Sequence, residues 1–67
     1  MMTLEINGEK RSVPPLDNLG ELLSFLGVGQ DRIAVEVNHR LIRRVRWSAT
    51  KLADQDKVEI VQFVGGG

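Results

Sequence analysis

The chain has no cysteine and no tyrosine, only two prolines, and three aromatic residues, Phe25, Trp47 and Phe63. Without cysteine there is no disulfide, no thiolate metal site and no cysteine nucleophile. A chain of 67 residues must then be held by its apolar core alone. It also lacks an excess of either charge, since nine Lys and Arg balance nine Asp and Glu. That balance counts against a nucleic-acid binder, and no nucleic-acid partner is expected. No apolar run approaches the roughly 20 residues of a membrane span, and the first residues lack a secretory pattern. The expected location is the cytoplasm, with no membrane contact. His39 is the only histidine and falls at a turn, and Asp54 and Asp56 read as turn formers. No catalytic set, metal site or bound cofactor is expected.

What is present is ordered local signal. Thr3 to Asn7 alternates, with Leu4 and Ile6 on one side. Asn7-Gly8 follows, a pair that tolerates the positive φ of a type I′ hairpin turn. Glu9 to Val13 reads as the return strand, closed by Pro14-Pro15. Asn18 with Glu21 is a variant of the capping box, and Leu19, Leu22, Leu23 and Leu26 form one helical stripe. Gly27 stands where a left-handed cap ends such a helix. Ile33, Val35 and Val37 alternate in a third strand, Asn38-His39 makes a turn, and Leu41-Ile42 forms a short strand. Residues 43–53 lack a clean period, with Trp47 and Leu52 placed over one end of the core. Asp54-Gln55-Asp56 turns into a final strand from Lys57. One helix beside four or five short strands predicts an α+β domain with the helix packed across one face of a sheet. The inward set is Leu4, Ile6, Val13, Leu19, Leu22, Leu23, Leu26, Ile33, Val35, Val37, Leu52, Val58 and Ile60.

The end of the chain, K-V-E-I-V-Q-F-V-G-G-G, is an apolar strand running into Gly65, Gly66 and Gly67. Glycine has no Cβ and passes through slots that exclude other residues, although by itself such a terminus also reads as a frayed end. If Val58 and Ile60 face the helix, Val61 and Phe63 face the opposite side. There they are either an exposed docking patch leading to the tail or are covered by irregular segments.

The order ββαβ(β)β, I-N-G-E at 6–9, the leucine helix at 19–26, I-A-V-E-V-N at 33–38, Arg44 with Trp47, and the terminal F-V-G-G-G resemble the thiamine-pathway sulfur carriers of the ubiquitin-like β-grasp fold. The resemblance covers essentially the whole chain. One departure is Asp54-Gln55-Asp56, where such proteins usually read D-G-D.

The resemblance implies a mixed sheet of four to five strands over residues 1–64 and a flexible glycine tail at 65–67. It also implies a protein co-substrate rather than an enzyme. An ionised terminal carboxylate is a poor electrophile, so an ATP-dependent partner, an adenylyltransferase like those that activate ubiquitin, would join AMP to Gly67. A persulfide donor, with a cysteine desulfurase behind it, would convert the anhydride to a thiocarboxylate. Thiazole synthase would then take the sulfur. Gly65 and Gly66 would thread the partner active site, and Val61, Phe63 and Val64 would dock. ATP would be used by the partner and not held by this chain. Two alternatives are a carrier of the molybdopterin-synthase small-subunit type and a small RNA-binding module. The second would use Arg40, Arg43, Arg44 and Arg46, with Trp47 as a stacking aromatic.

Overall fold

The computed structural model describes residues 1–63. Alternating apolar residues make the strand β1 (Met2–Ile6), and the Asn7-Gly8 turn pairs it with β2 (Glu9–Val13), which buries only Val13, followed by α1 (Leu19–Leu26). After it come β3 (Ile33–Val37), β4 (Arg40–Ile42), a 3₁₀ helix (Arg44–Ala49) and β5 (Lys57–Gln62). The strands form one sheet in the order β2-β1-β5-β3-β4. The central β1–β5 pair is parallel and the other three pairs are antiparallel. The last strand in sequence therefore lies in the middle of the sheet.

Both hairpins turn as the sequence predicts. Asn7 and Gly8 have φ of 50° and 85°, and Asn38 and His39 have 51° and 69°. The second turn reaches this conformation without a glycine, as asparagine and histidine are among the residues that tolerate it best. Helix α1 is capped by Asn18, whose Oδ1 accepts the Glu21 N–H at 2.9 Å, and it stops at left-handed Gly27. Glu21 reaches back one residue further than a capping box requires, accepting the Asp17 N–H at 2.8 Å.

The 3₁₀ helix over residues that lack a sequence period folds under α1, where the Leu19 N–H donates to the Thr50 carbonyl at 2.8 Å. It buries Trp47, whose indole N–H donates to the Ile42 carbonyl at 2.9 Å. Leu4, Leu19, Leu22, Leu23, Val13, Val35 and Val58 are fully enclosed, with Ile6 and Val37 close behind. Four members of the inward set, Leu26, Ile33, Leu52 and Ile60, are only partly buried. The eight residues of α1 span about 12 Å and leave one end of the inner face uncovered. A groove of about 210 Å³ remains there between Leu26, Ile33 and Ile60, with Arg11 among the residues that line it.

The turn into β5 keeps a glycine-like shape with a glutamine in it. Gln55 has φ of 73°, and both neighbouring carboxylates hold the bend. Asp54 accepts the Thr3 N–H at 2.7 Å and the Gln55 side-chain amide at 3.0 Å. The Thr3 bond, followed by the Gln55 bond, holds the Asp54 carboxyl below the ordinary aspartate range. Asp56 accepts the Ala53 N–H at 2.8 Å and the Asn38 amide at 2.9 Å.

Candidate functional site

The site grows out of the alternation of β5. Val58 points into the core and is fully buried, and Ile60 follows it on the same side. Glu59, Val61 and Phe63 point the other way, where no element among the described residues crosses the sheet. Val61 remains 55% exposed and Phe63 57% exposed, so the irregular segments do not fold over them.

Register extends the patch beyond what the sequence suggests. Val61 lies opposite Ala34 on β3, and Leu41 on β4, 66% exposed, is opposite Glu36 on the same outer face. Leu41, Ala34, Val61 and Phe63 thus form an apolar diagonal across three strands. Leu41 was not among the predicted docking residues. The only signal for it is that its neighbour Ile42 packs against the core, and a three-residue strand is too short to show alternation. Beside this diagonal the outer face becomes polar, with Glu5, Glu36, His39, Lys57 and Glu59 around a shallow depression of about 350 Å³. Glu36 and Glu59 face each other directly. Among the described residues no group of three or more His, Cys, Asp and Glu is placed to hold a metal ion.

The strand that carries the patch is firmly held up to its last described residue. The Phe63 N–H donates to the Arg32 carbonyl at 2.7 Å. On either side of β5, an asparagine that opens a hairpin supplies a side-chain rung. The Lys57 N–H donates to Asn38 Oδ1 at 3.0 Å, and the Ile60 N–H donates to Asn7 Oδ1 at 2.7 Å. The remaining predicted site residues, Val64, Gly65, Gly66 and Gly67, lie outside the described residues.

The stacking aromatic of the RNA-binding alternative is corrected by the structure. Trp47 is 5% exposed, and the Arg44 guanidinium lies over its ring, 5.7 Å from the centroid, while also pairing with Asp31 at 3.3 Å. The 3₁₀ helix carries one other large apolar side chain, Val45, which stays exposed, so Trp47 alone ties the helix to the core. The four arginines remain exposed without an aromatic platform.

Known proteins match this arrangement over nearly the whole chain. A sequence model of the ThiS family matches residues 4–67. The crystal structure of the thiamine biosynthesis protein ThiS from Geobacter metallireducens is 39% identical with a TM-score of 0.84, and the match covers 98% of this chain and 100% of that one. The sulfur carrier protein ThiS of Bacillus subtilis is 32% identical, over 96% of this chain and 98% of its own length. A thiazole synthase of Paramagnetospirillum magneticum is 39% identical over 98% of this chain, a match that takes up 20% of the synthase. No helix among the described residues is long and apolar enough to cross a membrane. The chain belongs to the ThiS family, and its five-stranded mixed sheet crossed by one helix is the ubiquitin-like β-grasp fold of that family.

Proposed function

We propose that this chain carries sulfur for thiazole formation in thiamine biosynthesis, as a co-substrate of other enzymes and not as a catalyst. The Gly67 carboxylate attacks the α-phosphorus of ATP in an adenylating partner, pyrophosphate leaves, and an acyl adenylate forms. A persulfide sulfur then attacks the carbonyl and AMP leaves. A thiol reduces the resulting acyl disulfide, which leaves the thiocarboxylate on Gly67. Thiazole synthase accepts that sulfur.

The observation that carries this reading is the uncovered apolar diagonal ending at Phe63, on a strand held in the middle of the sheet. Residues 64–67 span at most about 13–14 Å when extended. An enzyme that acts on Gly67 must therefore close over the surface around Phe63, where Val61 and Phe63 are available to meet it. The Geobacter relative named for thiamine biosynthesis supports the thiazole route over the molybdopterin type. The Paramagnetospirillum thiazole synthase contains a segment similar to this chain, which supports such a synthase as the acceptor.

The test is intact mass after incubation with ATP, an adenylating enzyme and a persulfide source. It is followed by capture with a thiol-alkylating reagent, because oxidation of Met1, Met2 or Trp47 gives nearly the same mass. With no cysteine in the chain, one alkyl adduct mapped to Gly67 is expected. No adduct, with the same enzyme shown to charge a known carrier, would remove the carrier reading.

A further inference from the structure

Strand β5 is flanked unequally. On the β3 side it is paired from Val58 to Gln62, and the Phe63–Arg32 bond continues that ladder. On the β1 side the pairing covers only Lys57 with Glu5 and Val58 with Ile6, because β1 ends at Ile6. A parallel ladder runs Glu5 N–H to the Asp56 carbonyl and Asn7 N–H to the Val58 carbonyl, both at 2.9 Å. The next rung would need the Asn7 carbonyl, but at φ of 50° the chain has already turned away into the hairpin.

The Asn7 side chain fills that place. Its Oδ1 accepts the Ile60 N–H at 2.7 Å and its Nδ2 donates to the Ile60 carbonyl at 3.3 Å. A side-chain amide has the donor and acceptor of a peptide group in the same plane, so it can replace one. The two bonds also fix which atom is oxygen, since the flipped amide would set donor against donor and acceptor against acceptor. Asn38 makes a similar substitution at Lys57, but with a backbone bond from Asn38 N–H to the Lys57 carbonyl beside it at 2.7 Å. At Ile60 the side chain acts alone on the β1 side.

We propose that Asn7 is a positioning residue of the carrier: its amide is the last rung on the β1 side of β5 and, together with the Phe63–Arg32 rung on the β3 side, sets the direction in which the chain leaves the sheet toward Gly67. The proposal rests on the carrier reading for its consequence, but its structural half stands on the bonds at Ile60. Docking of Val61 and Phe63 is maintained by β3, so loss of the Asn7 rung misaligns the terminus without removing the patch.

The test compares wild type with Asn7→Gly, which suits the left-handed turn and deletes the amide, and with Asn7→Asp, which keeps an acceptor for the Ile60 N–H. Native-state amide exchange at Ile60 is expected to accelerate at least tenfold in Asn7→Gly, with Leu4 and Val35 changed less than twofold. In the adenylation assay kcat is expected to fall about five- to tenfold with KM within twofold, and Asn7→Asp to fall between the two proteins in both measurements. Unchanged exchange at Ile60, exchange raised evenly across the sheet, or faster exchange with unchanged kcat would each overturn the positioning role. Failure of wild type to be charged by an enzyme that charges a known carrier would remove the carrier reading and the proposal together. Charging of wild type with normal kcat in Asn7→Gly would remove the proposal alone.

Discussion

The two faces of β5 have the same chemistry and opposite fates. Val58 on one side is fully enclosed, while Val61, three residues later on the other, is left 55% exposed next to a 57% exposed phenylalanine. Intrinsic strand propensity does not distinguish them, because valine, isoleucine and phenylalanine all favour strands. What separates them is that the described residues supply one helix and one 3₁₀ segment, both on the Val58 side. The inner face stabilises the domain, and the outer face is left uncovered among the described residues.

The largest expected effect is on the inner face. Leu22 is fully buried between α1 and the sheet, and Leu22→Ala should destabilise by about 2–5 kcal/mol through lost transfer energy and the cavity left behind. Equilibrium urea unfolding measures it. The same strand gives the opposite result outside. Phe63→Asp should change stability by no more than about 0.5 kcal/mol, the usual range for a surface change. It should weaken binding to the adenylating enzyme at least tenfold, because a carboxylate replaces an apolar contact. Titration calorimetry separates the two. Equal binding by wild type and Phe63→Asp would mean that the outer face is not the docking surface.

The boundary between the faces was largely legible in the sequence because it follows local rules. Alternation placed Leu4, Val35 and Val58 inward, both asparagine-led pairs turn as expected, and Asn18 and Gly27 bound the helix. Other features depend on distant partners. Alternation assigned Ile33 and Ile60 to the inner face but could not show that α1 is too short to cover them. The Asn7 rung joins residues 53 apart in sequence, so it is visible only once β5 lies beside the first hairpin. The 3₁₀ helix has six residues and no apolar repeat, and only the burial of Trp47 reveals its purpose.

The turn that feeds β5 gives a smaller effect of the opposite sign. A side chain in the left-handed region costs about 1–2 kcal/mol, and Gln55 is there at φ of 73°. Gln55→Gly removes that strain, but it adds freedom to the unfolded chain and loses the bond to Asp54. The net gain should be about 0.5–1 kcal/mol, seen as a thermal midpoint a few degrees higher with binding to the adenylating enzyme unchanged. A lower midpoint would mean that the Gln55–Asp54 bond outweighs the backbone strain.

The smallest effect tests whether the outer face is tuned for the fold at all. Glu36 and Glu59 sit directly opposite each other on the two central antiparallel strands, and like charges so placed destabilise a sheet. Among the described residues no lysine or arginine forms an ion pair with either, since the one such pair is Arg44 with Asp31. Glu59→Thr removes the repulsion and adds a β-branched residue suited to a strand, so it should stabilise by about 0.2–1 kcal/mol. Making the same change in a Glu36→Thr background should give a smaller gain, because the first substitution has already relieved the pair. Repeating the urea measurement in about 1 M salt should also shrink the gain, since exposed charges are then screened within a few ångströms. If Glu59→Thr gives the same gain in both backgrounds and at both salt concentrations, strand propensity alone accounts for it. If the gain depends on Glu36 and on salt, the outer face holds charges that weaken the isolated domain, as a surface retained for a partner would.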